Sequence, residues 1–109
     1  MRAGFDTPFK MIEERCQELL RRYPEPEDQG RIYFLLAHVE GQSGLQRPEK
    51  AISYAKTALA LPCDQYSRLR LYMYWGNAIE VAHRGARGRS LAAARRQAVV
   101  PYLQGLKEN

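Results

Sequence analysis

The side chains best suited to act as nucleophiles, bases or metal ligands in this sequence are Cys16, Cys63, His38 and His83. Covalent catalysis needs a nucleophile beside a positioned base, and a metal site needs three or four converging ligands. None of the four shares a motif with another, so neither chemistry is expected. His38 falls inside a helical stretch, where a histidine more often lines a groove or core. His83 falls at a helix end beside Arg84, where terminal carbonyls offer a partner. Cys16 and Cys63 lack metal-type spacing and read as small apolar side chains rather than a disulfide. Arg87, Gly88, Arg89 and Ser90 lack both the Gly-Lys-Ser/Thr order and the preceding strand of a phosphate-binding loop. The expectation is a protein with no catalytic residue, no metal and no cofactor.

Anion binding is the chemistry that the charge pattern favours. The formal net charge is +5, unevenly placed: residues 1–54 hold 8 basic and 9 acidic side chains, residues 55–109 hold 9 and 3. Arg84, Arg87, Arg89, Arg95 and Arg96 lie in a stretch with no carboxylate between Glu80 and Glu108. Such a cluster raises the local potential and suits an anionic partner. With Tyr66 or Tyr74 stacking on bases it would form a nucleic-acid surface whose affinity falls steeply with salt. The aromatic spacing is equally that of a buried helix face, and the plain reading of the arginines is a solvated basic surface. Nucleic acid is therefore the alternative function here, not the leading one.

The elements that must position these residues are helical. Asp6 or Thr7 can cap a first helix with Pro8 in its first turn, running to about Tyr23. Its apolar stripe is Met11, Ile12, Cys16, Leu19, Leu20 and Tyr23, which leaves Glu13, Glu14, Gln17, Glu18 and Arg21 for water. Pro24 and Pro26 end it. Glu25, Glu27 and Asp28 make an acidic start for a second helix, Asp28 to Gln42. Gly41, Ser43 and Gly44 form a turn, and Pro48 opens a third helix to Leu61 with a small-residue face of Ala51, Ala55 and Ala58. Pro62 stops it, Asp64 can cap a fourth helix from Gln65 to His83, and Ser90 can cap a fifth. Pro101 predicts a kink or an early end near Val100, and the polar end after Gly105 is expected to fray.

With 45 % hydrophobic residues, residues 1–109 suit one domain that buries roughly two thirds of its unfolded surface. No apolar run of about 18 residues and no signal-peptide core are present, so the expected location is cytoplasmic, with no membrane span.

A segment that occurs twice organises the whole. Tyr33 and Tyr72 each open a helical stretch and lie 39 residues apart, and Pro24 and Pro62 before them lie 38 apart. A period of this size marks stacked helical hairpins, none able to bury its apolar face alone. The middle unit has Tyr33, Leu36 and Ala37, then Ala51, Ala55, Ala58 and Pro62, and the next has Tyr72, Trp75, Gly76 and Ile79. This pattern resembles the tetratricopeptide repeat, over about two and a half divergent repeats whose period is longer than the usual ~34 residues. Glu40 stands where that family has an aromatic residue.

The resemblance implies an all-α, short solenoid of about five antiparallel helices, acting as a non-enzymatic interaction module. It also implies that the first helix of each pair lines a concave groove. The corresponding positions are Arg31, Phe34, His38 and Gln42, with Arg70, Met73, Asn77 and Glu80 one unit later. Arg31 and Arg70 occupy matching places and could hold a peptide bearing carboxylates, since Arg binds that group in bidentate fashion. Asn77 after Gly76 looks like one element of the family's carboxylate clamp, but Met73 stands where a Lys is wanted. The expected partner is thus another protein or peptide, acidic in character. Self-association through Met11, Ile12, Tyr102 and Leu106 is a second expectation, because the end helices lack a cap.

Overall fold

The computed structural model describes residues 3–42, 47–83 and 88–108, with side chains throughout except at 3–7, 41–42 and 89. Among these residues there are five helices and no strand: α1 (Ala3–Arg22), α2 (Pro26–Gln42), α3 (Pro48–Leu59), α4 (Gln65–Ala82) and α5 (Arg89–Glu108). Each helix lies on the next, and α2 also reaches α4. A helix that touches both its successor and the one beyond is the arrangement of stacked hairpins. The result is a slab of 46 × 42 × 16 Å. Its radius of gyration of 14.7 Å exceeds the about 13 Å expected of a sphere-like domain of this length.

Local sequence sets most helix ends. Pro26 and Pro48 occupy first turns, where a missing N–H costs nothing. Asp64 accepts a 2.7 Å hydrogen bond from the Ser67 backbone N–H and caps α4, as its position predicts. At the other end His83 Nδ1 lies 2.9 Å from the Ile79 carbonyl. Gln29, one helix on, donates to the carbonyls of Leu20 at 2.9 Å and Tyr23 at 2.7 Å, satisfying groups that the end of α1 leaves open. Helix α1 begins at Ala3, earlier than the cap expected at Asp6 or Thr7, with Pro8 inside it.

The core is built from small side chains. Ala37, Ala55, Ala58 and Leu71 are fully buried together, and Tyr33, Phe34, Tyr54, Leu59, Tyr74 and Trp75 pack around them. Alanines let three helices approach closely, and the aromatic rings fill the space at the margins. A Cβ on Gly30 would run into the Pro62 carbonyl, and one on Gly76 would come within 2.5 Å of the Tyr102 ring. These two glycines permit the α2 to α3–α4 loop contact and the α4 to α5 contact.

Three sequence expectations change. Helix α5 does not end near Val100: it continues through a buried Pro101 to Glu108. Its last turn does not fray, because Glu108 accepts hydrogen bonds from Arg68 Nε at 2.8 Å, Tyr72 Oη at 2.5 Å and Gln104 at 3.2 Å. Gly105 is buried against Leu69 and Tyr72. Tertiary anchoring beyond the proline thus outweighs its helix penalty of about 3 kcal/mol. On α1, Met11 and Ile12 are exposed while Glu13 is drawn inward, its side chain only 15 % accessible.

Candidate functional site

The repeat places α2 and α4 side by side, and their shared face carries an arginine held by rings. Arg70 Nε donates to the Tyr74 hydroxyl at 3.0 Å and its Nη1 to the Tyr66 hydroxyl at 3.1 Å. Its guanidinium carbon lies 5.6 Å from the centroid of each ring. Residues 66, 70 and 74 are spaced i, i+4, i+8, which aligns them on one side of α4. His38 Nδ1 on α2 shares a 2.7 Å hydrogen bond with the Tyr74 hydroxyl, and Phe34 packs on that ring at 5.9 Å. Among the described residues no carboxylate lies within ion-pair distance of Arg70 or Arg31.

Two openings flank this cluster. One, of about 380 Å³, is lined by Glu27, Gly30, Arg31, Phe34, Pro62, Cys63, Asp64 and Ser67. The other, of about 280 Å³, is lined by Tyr66, Leu69, Arg70, Met73 and Tyr74. Phe34 and Tyr74, in contact, join the two. The arrangement offers two guanidiniums separated by aromatic and apolar surface, which suits carboxylates carried on an apolar backbone.

The sequence-derived groove residues divide accordingly. Arg31, Phe34, His38, Arg70 and Met73 gather at this face. Asn77 is exposed further along α4. Glu80, nearer the end of α4, turns toward α5 instead, accepting from Tyr102 Oη at 3.4 Å and lining an α4–α5 opening with His83, Leu91, Arg95 and Val99. The Gln42 side chain falls outside the described residues. Of the basic stretch, Arg95 and Arg96 are exposed on α5, while Arg84, Arg87 and the Arg89 side chain are outside the described residues.

Sequence reasoning missed the clamp on Arg70, having assigned Tyr74 either to the core or to base stacking. The i, i+4, i+8 spacing was the available signal. It also missed a second network, between α1, α2 and α3. There Arg47 Nη2 binds Glu40 at 2.5 Å and Glu13 at 3.3 Å, and Tyr54 Oη donates to Glu13 at 2.8 Å. The Glu40 side chain is 1 % exposed. Burial pushes its carboxyl up and Glu13 adds to this, against the pull of Arg47. At Glu13 burial also acts upward, but Tyr54, Arg47 and Lys50 together prevail and hold it below the ordinary range. Burial and the bond to Glu13 push the Tyr54 phenol up to about 12. Residues 40, 47 and 54 recur at steps of seven, but α2 ends at Gln42 and α3 begins at Pro48, so no single helix aligns them, and Glu13 comes from α1; only the fold could assemble the four.

Among the described residues, no group of three His, Cys, Asp or Glu side chains could hold a metal ion, and no helix is long and apolar enough to cross a membrane. Comparison with protein-family models, curated proteins and solved structures gives no match.

Proposed function

We propose that this chain is a tetratricopeptide-like, non-enzymatic interaction module, and that the face between α2 and α4 takes a peptide segment of another protein carrying carboxylates and apolar side chains. The observation that carries this reading is Arg70, fixed by two phenols and two ring faces yet, among the described residues, paired with no carboxylate. Phenols orient a guanidinium without neutralising it, so its charge stays available to a ligand at low ordering cost. Arg31 supplies a second cation at the neighbouring opening. Phe34 and Met73 supply the apolar surface between and beside them. The setting proposed is the cytoplasm.

The test is a pull-down from lysate at low and high salt, with and without nuclease, using the wild-type chain and Arg31→Glu/Arg70→Glu. Recovery of a protein that survives nuclease and is lost with the double variant supports the groove. Unchanged recovery by the double variant overturns it. Recovery of nucleic acid alone, lost at high salt and retained by the variant, transfers the function to the arginines between residues 84 and 96.

A further inference from the structure

The outer side of α5 carries a pattern that the groove does not use. This helix lies against α4 alone and buries Ala94, Ala98, Pro101 and Gly105. Roughly opposite, Ala92, Arg96, Val99, Leu103 and Leu106 recur at steps of four, three, four and three residues. Val99 is 45 % exposed, Leu103 57 % and Leu106 67 %, with Val100 beside them at 64 %. Lone exposed apolar residues are ordinary, but alternating four and three steps are the spacing of a seam between two helices. At 1.5 Å per residue the stripe runs about 20 Å, the length of a short helix. Arg95 lies at one margin, Arg96 interrupts the stripe, and Lys107 follows it. Of the acids near it, Glu108 is engaged by Arg68 and Tyr72, and Glu80, which shares the α4–α5 opening with Arg95 and Val99, accepts from Tyr102.

We propose that this face docks an amphipathic helix of another protein whose apolar seam is flanked by Glu or Asp. A second copy of α5 would set Arg95, Arg96 and Lys107 against their own kind, and like charges facing across a seam repel. Helix α1 is a poor match too: its four acidic residues are balanced by four basic ones, and Glu18 is paired with Arg15 and Arg22. A lipid surface fits less well. Interfacial helices keep cations on a polar side and present Trp, Phe or Leu on the other, whereas Arg96 sits within this stripe. Tyr102, the aromatic residue of α5, packs on Gly76 instead. The surface is separate from the α2–α4 groove and does not depend on it.

The test uses the full chain and two synthetic peptides of about 21 residues, three heptads with one Leu and Ile seam, flanked in one by Glu and in the other by Lys. Titration calorimetry is expected to show binding of the Glu peptide only. Leu103→Asp/Leu106→Asp should weaken it by about tenfold or more, and Arg95→Glu/Arg96→Glu should transfer the preference to the Lys peptide. All four side chains are exposed, and circular dichroism verifies that the variants fold. Arg31→Glu/Arg70→Glu should leave this affinity unchanged, which separates failure here from failure of the groove. The proposal is overturned if neither peptide binds or both bind alike. It is equally overturned if the Leu103→Asp/Leu106→Asp variant abolishes a dimer seen in sedimentation, or abolishes flotation with phosphatidylserine vesicles.

Discussion

Arg47 and Arg70 are both held by hydrogen bonds from their guanidiniums, yet their surroundings give them opposite uses. Arg47 meets two carboxylates, one of them sealed inside the slab, and its charge is consumed in joining α1, α2 and the start of α3. Among the described residues, Arg70 meets hydroxyls and ring faces on an open surface and no carboxylate. A buried carboxylate demands a cation, because leaving it alone costs more than any surface pair returns. A phenol makes no such demand. The difference separates a structural joint from a surface prepared for a partner.

The largest expected effect breaks the joint. Arg47→Met leaves Glu40 buried without its cation, and a loss of about 3 kcal/mol or more is expected in denaturant unfolding. An unchanged midpoint would mean that Glu40 is not sealed. Adding Glu40→Gln to that variant should recover part of the loss, since the stranded charge is then gone.

Tyr54→Phe should cost about 1 kcal/mol by removing one donor from Glu13, and a double-mutant cycle with Glu13→Gln should show the two to be coupled.

Acid provides a third test, at the far end of the slab. Arg68, with Tyr72 and Gln104, holds the Glu108 carboxyl down at about 2 against an ordinary 4.5. A depressed carboxylate lends stability that is complete above 4.5 and is lost as pH falls toward 2. Trp75, the one tryptophan of the sequence, stacks on Tyr72 at 6.2 Å and so reports on this end. Its fluorescence should change between those pH values, and Arg68→Met should shift the change upward. A profile indifferent to Arg68→Met would refute the anchor.

Arg70→Gln should have the smallest effect on unfolding, for its partners are exposed or half-buried and it neutralises nothing. A stability loss as large as that of Arg47→Met would make Arg70 a second joint and remove the case for the groove.

Much of the scaffold was legible in advance. Pro24, Pro48, Pro62 and Asp64 mark ends through chemistry local to a few residues, and the small face of Ala51, Ala55 and Ala58 announced close packing. The family resemblance implied a groove set from which Arg31, Phe34, His38, Arg70 and Met73 do share a face. The same resemblance grouped Glu80 with them, and the packing of α5 draws it to Tyr102 instead. Pro101 misleads because its local penalty says nothing of the anchors within the seven residues beyond it.

What the sequence by itself determined is the helical order of the chain: where apolar residues recur, where proline and glycine interrupt, and where charge accumulates. Those are properties of neighbours along the backbone. The tertiary structure decided which charges would be spent and which kept. Glu13, Glu40 and Tyr54 lie on three different helices, with Arg47 just before the third, so their meeting depends on those helices arriving together. Ionisation and exposure follow from that meeting, since burial and the distance to a counter-charge are facts of the assembled fold.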